Sequence, residues 1–227
     1  MSNIACIVCA YNEQKTIKEV VTAVCNNFFD EVIVVNDGST DNTGKIIREL
    51  KQYYDLIDIH LSENKGKGYA MAVGIEQTKA EIIMFCDADL SNLQDEHFNK
   101  LIMPVFNNEA DMVIGQATET LINYKINPFK YFAGQRALRK KDILPILNEM
   151  KTSKYGVETL INLYYQAHEK KVKYLMLAGL EHPTKFEKSS HTKAIKEFIQ
   201  EGKHIAIAVF NSYYLITKIV KNKITGL

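Results

Sequence analysis

Two aspartates one residue apart, Asp87 and Asp89, end the stretch Ile82-Ile83-Met84-Phe85-Cys86-Asp87-Ala88-Asp89-Leu90. Carboxylates are hard oxygen ligands suited to a divalent cation such as magnesium, or to a cationic substrate. If the strand alternation of the apolar run continues through the pair, both side chains leave on the same side and meet one ligand. An acidic loop of no special function has the same composition, so the pair alone leaves both readings open. Three more polar clusters accompany it: Tyr11-Asn12-Glu13, Asp37 with Asp41, and Lys65 with Lys67. Together they supply what a nucleotide requires, namely hydrogen-bonding groups for base and ribose, lysine and backbone approach for phosphate, and carboxylates for a cation.

Each cluster follows an apolar run that reads as a strand. Ile4–Ala10, Glu31–Val35, Leu56–Leu61 and Ile82–Cys86 are too short for ordinary helices and are bounded by turn-forming residues. Helical spacing separates them. Ile17, Val20, Val21, Val24 and Cys25 keep one face, and further helices are expected over 43–53, 69–78 and 95–107, with Phe98, Leu101, Ile102 and Val105 as the last one's apolar side. Asp111–Gly115 reads as a fifth strand. Regular β-α alternation with short connections predicts an α/β fold: a mostly parallel central sheet with helices on both faces and ligands at the carboxyl ends of the strands.

After Gly115 the regularity stops. Residues 116–130 include Asn127-Pro128 and show no sustained period, as a loop over the sheet edge does. A short helix near 142–148, a helix from about 157 to 170 on Val157, Leu160, Ile161 and Tyr164, and a late strand over 172–178 follow. No repeat or flexible linker marks a second domain, so residues 1–227 are expected to form one domain: a nucleotide-binding half (1–116), an acceptor-side half (117–190) and a helical tail (191–227).

Composition narrows the function classes. With 28 Lys plus Arg against 27 Asp plus Glu, the net charge of +1 gives no reason to expect a nucleic-acid binder. Four cysteines make no disulfide framework, and no signal-peptide pattern precedes the first strand, so the expected compartment is the reducing cytoplasm. Cys6 and Cys9 have the spacing of a redox pair, but within a strand they point to opposite faces and read as core residues. In the tail, Ile195, Phe198, Ile199, Ile205, Val209, Phe210, Tyr213, Ile216 and Val220 alternate with lysines. Two readings stand: a helix packed on the core or on a second copy as a homodimer, or an amphipathic helix lying on the cytoplasmic face of a membrane.

The common phosphate-binding fingerprints are missing: there is no Gly-x-x-x-x-Gly-Lys-Ser/Thr, and Gly66-Lys67-Gly68 lacks the later glycine of a dinucleotide site. Cys9-Ala10-Tyr11-Asn12-Glu13, Val34-Val35-Asn36-Asp37-Gly38-Ser39-Thr40-Asp41-Asn42-Thr43, Asn64-Lys65-Gly66-Lys67-Gly68 and Phe85-Cys86-Asp87-Ala88-Asp89-Leu90 resemble, in order and spacing, the successive motifs of family 2 glycosyltransferases with the GT-A (nucleotide-diphospho-sugar transferase) fold. Gly134-Gln135-Arg136-Ala137, Tyr155-Gly156-Val157-Glu158 and Glu181-His182 resemble the acceptor-side segments of small bacterial members and of glucosyl-phosphoglycerate synthases.

The resemblance implies transfer of a sugar from a nucleoside-diphosphate sugar, with UDP the expected nucleotide, to an acceptor hydroxyl or phosphate. It implies that Ala10, Tyr11, Glu13 and Asp37 contact the nucleoside, Lys67 the nucleotide side of the site, and Asp87 the ribose-phosphate region. Asp89 and His182 would hold Mg2+ or Mn2+, Gln135 and Arg136 would face the acceptor, and Glu158 would be the base of an inverting reaction. Simpler explanations exist residue by residue. Glu13, Asp41 and Glu158 sit at helix starts, where carboxylates are stabilising anyway; Asp37-Gly38 is ordinary turn chemistry; a solvated loop explains His182. A retaining enzyme like the phosphoglycerate group, or a non-catalytic nucleotide-sugar-binding module, are the alternatives. The acceptor is either a polyprenyl phosphate, which suits the lysine-flanked tail, or a small soluble molecule.

Overall fold

The structure, a computed structural model, describes residues 3–117, 134–153, 156–181 and 206–225. The expected strands and helices alternate: β1 (Ile4–Ala10), α1 (Ile17–Cys25), β2 (Glu31–Asn36), α2 (Thr43–Leu50), β3 (Ile57–His60), α3 (Lys67–Gln77), β4 (Ile82–Asp87), α4 (Asp95–Phe106) and β5 (Met112–Ala117). Then come β6 (Arg136–Arg139), α5 (Lys140–Ile143), a single 3-10 turn, α6 (Leu147–Ser153), α7 (Val157–Ala167), β7 (Val172–Leu177) and, at the end, α8 (Tyr213–Thr225).

The described strands form a seven-stranded sheet in the order β3-β2-β1-β4-β6-β5-β7. Strands β1, β2, β3 and β4 pair in parallel, as does β5 with β7. Alternate residues of the central strands feed two cores, which is why these runs are apolar throughout. Cys6, Val8, Val34, Met84 and Cys86 face α1, α2 and α4, while Ile7, Ile33, Val35, Ile83 and Phe85 face α3, α6 and α7. The mostly parallel sheet with helices on both faces is therefore as expected. Cys6 and Cys9 do point to opposite faces, and all four cysteines are free thiols.

Four expectations need correction. Strand β6 was not anticipated: it lies antiparallel between β4 and β5, and Arg-Ala-Leu-Arg has too few apolar residues to announce a strand. Helix α3 begins at Lys67, two residues before the expected start, because Gly66 at φ 95° turns the chain directly into it. The short helix placed near 142–148 is a broken run, α5, a 3-10 turn containing Pro145 and then α6. Finally, β4 ends at Asp87, and Ala88 and Asp89 already lie in a turn. Strand alternation therefore does not reach Asp89, and the same-side argument for the pair fails.

The tail is helical from 206 to 211 and again in α8. Leu215 is buried and Ile219 packs against the core beside α7, and the Asn222 side chain donates to the Ala167 carbonyl. Among the described residues, no helix is long and apolar enough to cross a membrane.

Candidate active site

Parallel topology brings the carboxyl ends of β1, β2 and β4 to one edge of the sheet, and the first residues of α3 and α7 come to the same place. Each helix start leaves backbone N–H groups without helical partners and carries partial positive charge. Lys67, the first residue of α3, reaches both carboxylates of the site. Its Nζ lies 2.8 Å from Asp87 Oδ1 at the end of β4 and 2.7 Å from Glu158 Oε1 in the first turn of α7. The three side chains are only 28, 16 and 10% exposed in the order Lys67, Asp87, Glu158. Burial works against the Lys67 ammonium, but Asp87 and Glu158 outweigh it and hold its pKa well above the ordinary lysine value.

Asp87 is held from the other side as well. Gln135 Nε2 donates to its Oδ2 at 2.9 Å. Gly134 backs the carboxylate so closely that a Cβ there would fall 2.1 Å from Oδ2 and would push the Asp87 carboxylate out of its present position. Arg136 does not open towards solvent. It is fully buried, its Nη1 donating to Asn162 Oδ1 at 3.4 Å. Burial pulls its pKa below the usual guanidinium value, against the opposing pull of Glu158 and Asp87. Asn162 stands one helical turn beyond Glu158, on the same face of α7. Arg136 is thus buried beside Asn162 and within the field of both carboxylates, whereas the resemblance implies an acceptor contact.

Asp37 occupies the end of β2. Its two carboxylate oxygens accept from the backbone N–H groups of Lys65 at 2.8 Å and Gly66 at 2.9 Å, tying this strand end to the start of α3. The Asp37 N–H donates to the Ala10 carbonyl. Gly38, at φ 66°, makes the turn that follows; a side chain there would collide with the Glu63 backbone. Ala10 is buried and Tyr11 is 40% exposed. The Glu13 N–H donates to Thr43 Oγ1, and the Glu13 carbonyl starts the turn into α1.

Burial raises the Asp37 pKa despite its two hydrogen bonds. Between the unfolded and folded pKa values the native state binds more protons, so this group's contribution to stability falls as pH rises through that window. Asp37→Asn keeps one acceptor but turns an NH2 against the second N–H. The expected result is a loss of about 1–3 kcal/mol in urea unfolding at neutral pH, together with loss of that pH slope; a neutral substitution would count against the double-acceptor role.

Asp89 lies half-buried in the turn after Asp87. His182 lies outside the described residues, and among those described no cluster of three or more metal-ligating side chains occurs. Among the described residues Lys67 stands between Asp87 and Glu158, one ammonium for two carboxylates, a balance that suits an added cation. The thiol of Cys9 feels the charges of Lys67, Asp87, Asp37 and Glu158. Burial chiefly, with Asp87, Asp37 and Glu158 acting against Lys67, pushes its pKa far up and keeps it neutral. Gly134 and Asn162 were missed as site residues. Asn162 was findable from its four-residue offset from Glu158, whereas the closeness of Gly134 to Asp87 has no local signal.

A model of the family described as glycosyl transferase family 2 matches residues 5–162. The chain belongs to glycosyl transferase family 2. This family 2 chain is 32% identical over 148 residues to UDP-N-acetylglucosamine–dolichyl-phosphate N-acetylglucosaminyltransferase of Methanococcus voltae, a match covering 58% of this chain and 59% of that protein. It is 36% identical over 97 residues to poly-beta-1,6-N-acetyl-D-glucosamine synthase of Staphylococcus aureus, covering 42% of this chain and 24% of the relative. The matches thus span about three fifths and one quarter of these curated relatives. The fold is that of glucosyl-3-phosphoglycerate synthase from Mycobacterium tuberculosis, a GT-A enzyme crystallised with Mn2+, UDP and phosphoglyceric acid: TM-score 0.70 at 19% identity, covering 92% of this chain and 78% of that one.

Proposed function

We propose that the chain is a metal-dependent glycosyltransferase that moves a sugar from a UDP-sugar to an acceptor hydroxyl or phosphate with inversion at the anomeric carbon. The observation that carries this reading is the largely buried Lys67–Asp87–Glu158 cluster where the β4 end meets the starts of α3 and α7. The donor class and the cation are supported by the relatives: the Methanococcus protein's name specifies a UDP-sugar and a dolichyl-phosphate acceptor, and the fold neighbour was crystallised with UDP and Mn2+.

The electrostatics of the cluster support a cation as well. Both carboxylates beside Lys67 already draw on its single charge, so a diphosphate entering the site meets a surplus of negative groups. Magnesium is commonly held by one or two carboxylates plus substrate phosphates, and Asp89, with His182, would supply the protein's share. When bound, Mg2+ or Mn2+ offsets charge on the departing diphosphate.

In the transfer itself the acceptor oxygen bonds to the anomeric carbon while the bond from that carbon to the diphosphate oxygen breaks, its electron pair leaving with the diphosphate. A hydroxyl acceptor gives its proton to Glu158; a phosphate acceptor attacks without giving one up. Lys67 stays protonated throughout and is aimed at the same edge, where it shares its hydrogens between Glu158 and the incoming diphosphate. Asp37 and Glu13 address the nucleoside, and Gln135 and Gly134 fix Asp87 in place. Arg136 is a positioning residue, acting through Asn162 and the carboxylates.

Thermal unfolding with UDP, GDP, dTDP and CDP, each with and without manganese, tests the base of this proposal. UDP with manganese is expected to raise Tm most, because a ligand that binds only the native state stabilises it by RT ln(1 + [L]/Kd). Asp89→Ala is expected to remove the manganese-dependent part of the shift and leave the rest. If no nucleotide raises Tm, the donor assignment fails.

A further inference from the structure

The helical tail has two apolar faces, and among the described residues only one of them is packed on the domain. Ala208, Ser212, Leu215, Ile219 and Asn222 recur at spacings of four and three and form the inner stripe against the core. On the opposite side Phe210, Tyr213, Val220 and Ile224 are 78, 68, 50 and 67% exposed. Tyr213, Val220 and Ile224 recur at helical spacing on one side of α8, and Phe210 lies in the helical stretch just before it. A helix serving only to cap the core would carry polar residues there. The charged residues flanking the stripe are also of one sign. Lys218, Lys221 and Lys223 are exposed, and residues 206–225 contain no Asp or Glu.

We propose that this outer face docks the folded domain on an anionic lipid surface. Apolar and aromatic side chains on the outer line suit the headgroup–acyl boundary, and lysines beside them suit the negative surface potential of acidic lipids. A second copy fits less well. A twofold interface sets the stripe against itself, bringing lysines together with no carboxylate on the segment to pair with them. The inner stripe keeps the helix on the domain, so docking requires no detachment. Contact is peripheral, since no described helix is long and apolar enough to cross.

Co-sedimentation of the full chain with vesicles, free of sugar nucleotide, tests this independently of any transferase activity. Vesicles of phosphatidylcholine with phosphatidylglycerol are expected to pellet the protein, and pure phosphatidylcholine vesicles far less. Lys218→Ala and Lys221→Ala should each weaken binding about fivefold, and added salt should weaken it further. Phe210→Ser combined with Ile224→Ser should weaken it by about tenfold or more. These positions are exposed, so the far-ultraviolet circular dichroism should be unchanged; if the serine pair unfolds the chain, the lysine variants carry the test. Failure to pellet with anionic vesicles at low salt overturns the proposal, as does pelleting that none of these variants reduces. So does a dimer in light scattering that Phe210→Ser with Ile224→Ser converts to monomer, which would show a second copy covering the stripe.

Discussion

Lys67→Met is expected to destabilise the protein by on the order of 3 kcal/mol in urea unfolding. The reason is what it leaves behind: Asp87 and Glu158, at 16 and 10% side-chain exposure, would face each other without the ammonium that now bonds both. Removing one partner of a mostly buried ion pair costs more than the pair is worth, because the remaining charge stays desolvated. The double variant Lys67→Met with Glu158→Gln should therefore recover part of the loss, and a double-mutant cycle reads that coupling directly. The pH sign is also defined. The folded pKa of Lys67 is raised above its unfolded value, so the lysine's contribution is fully present below about pH 10.4 and fades only as pH rises past the folded value. From neutrality to mildly basic pH, the deficit of the Lys67→Met protein should stay level on the lysine's account. A deficit below about 1 kcal/mol would place the ammonium in water and undo the electrostatic picture of the site.

Glu158→Gln should lower kcat with a hydroxyl acceptor by about 10²–10⁴-fold, the usual contribution of a positioned general base. Glutamine keeps an oxygen for Lys67 and nearly the same volume in the first turn of α7, so the donor's KM and the protein's Tm should move little by comparison. With a phosphate acceptor, which has no proton to surrender, the same substitution should cost far less. Comparing the two acceptor classes thus separates proton removal from packing, and an equal loss with both would assign Glu158 to holding Lys67. The anomeric configuration of the product, read by proton coupling constants, tests the inverting course.

Much of this site was legible before any tertiary structure. Apolar runs ending in Tyr11-Asn12-Glu13, Asp37 and Asp87 announce themselves locally, and β-α-β connectivity forces parallel strands to end on one edge. Fold class and the neighbourhood of the candidate residues follow from that regularity. Its limits are physical too. Strand β6 is short, antiparallel and flanked by arginines, and its place between β4 and β5 comes from pairing with residues dozens of positions away. Arg136 sits on that strand, and its complete burial beside Asn162 follows from the pairing and not from any local pattern. The turn at Ala88-Asp89 breaks the alternation that a linear reading carries through Asp87.

The sequence by itself determined the strand-end chemistry, the helices between the strands and the two-faced composition of the tail, because these depend on local spacing. Tertiary structure alone decided that Lys67 bridges Asp87 and Glu158, that Gly134 lies against the Asp87 carboxylate, and that the tail turns Leu215 inward and leaves Phe210 and Ile224 outside. Those outcomes are contacts between segments far apart in the chain, and no local period encodes a distance across the fold.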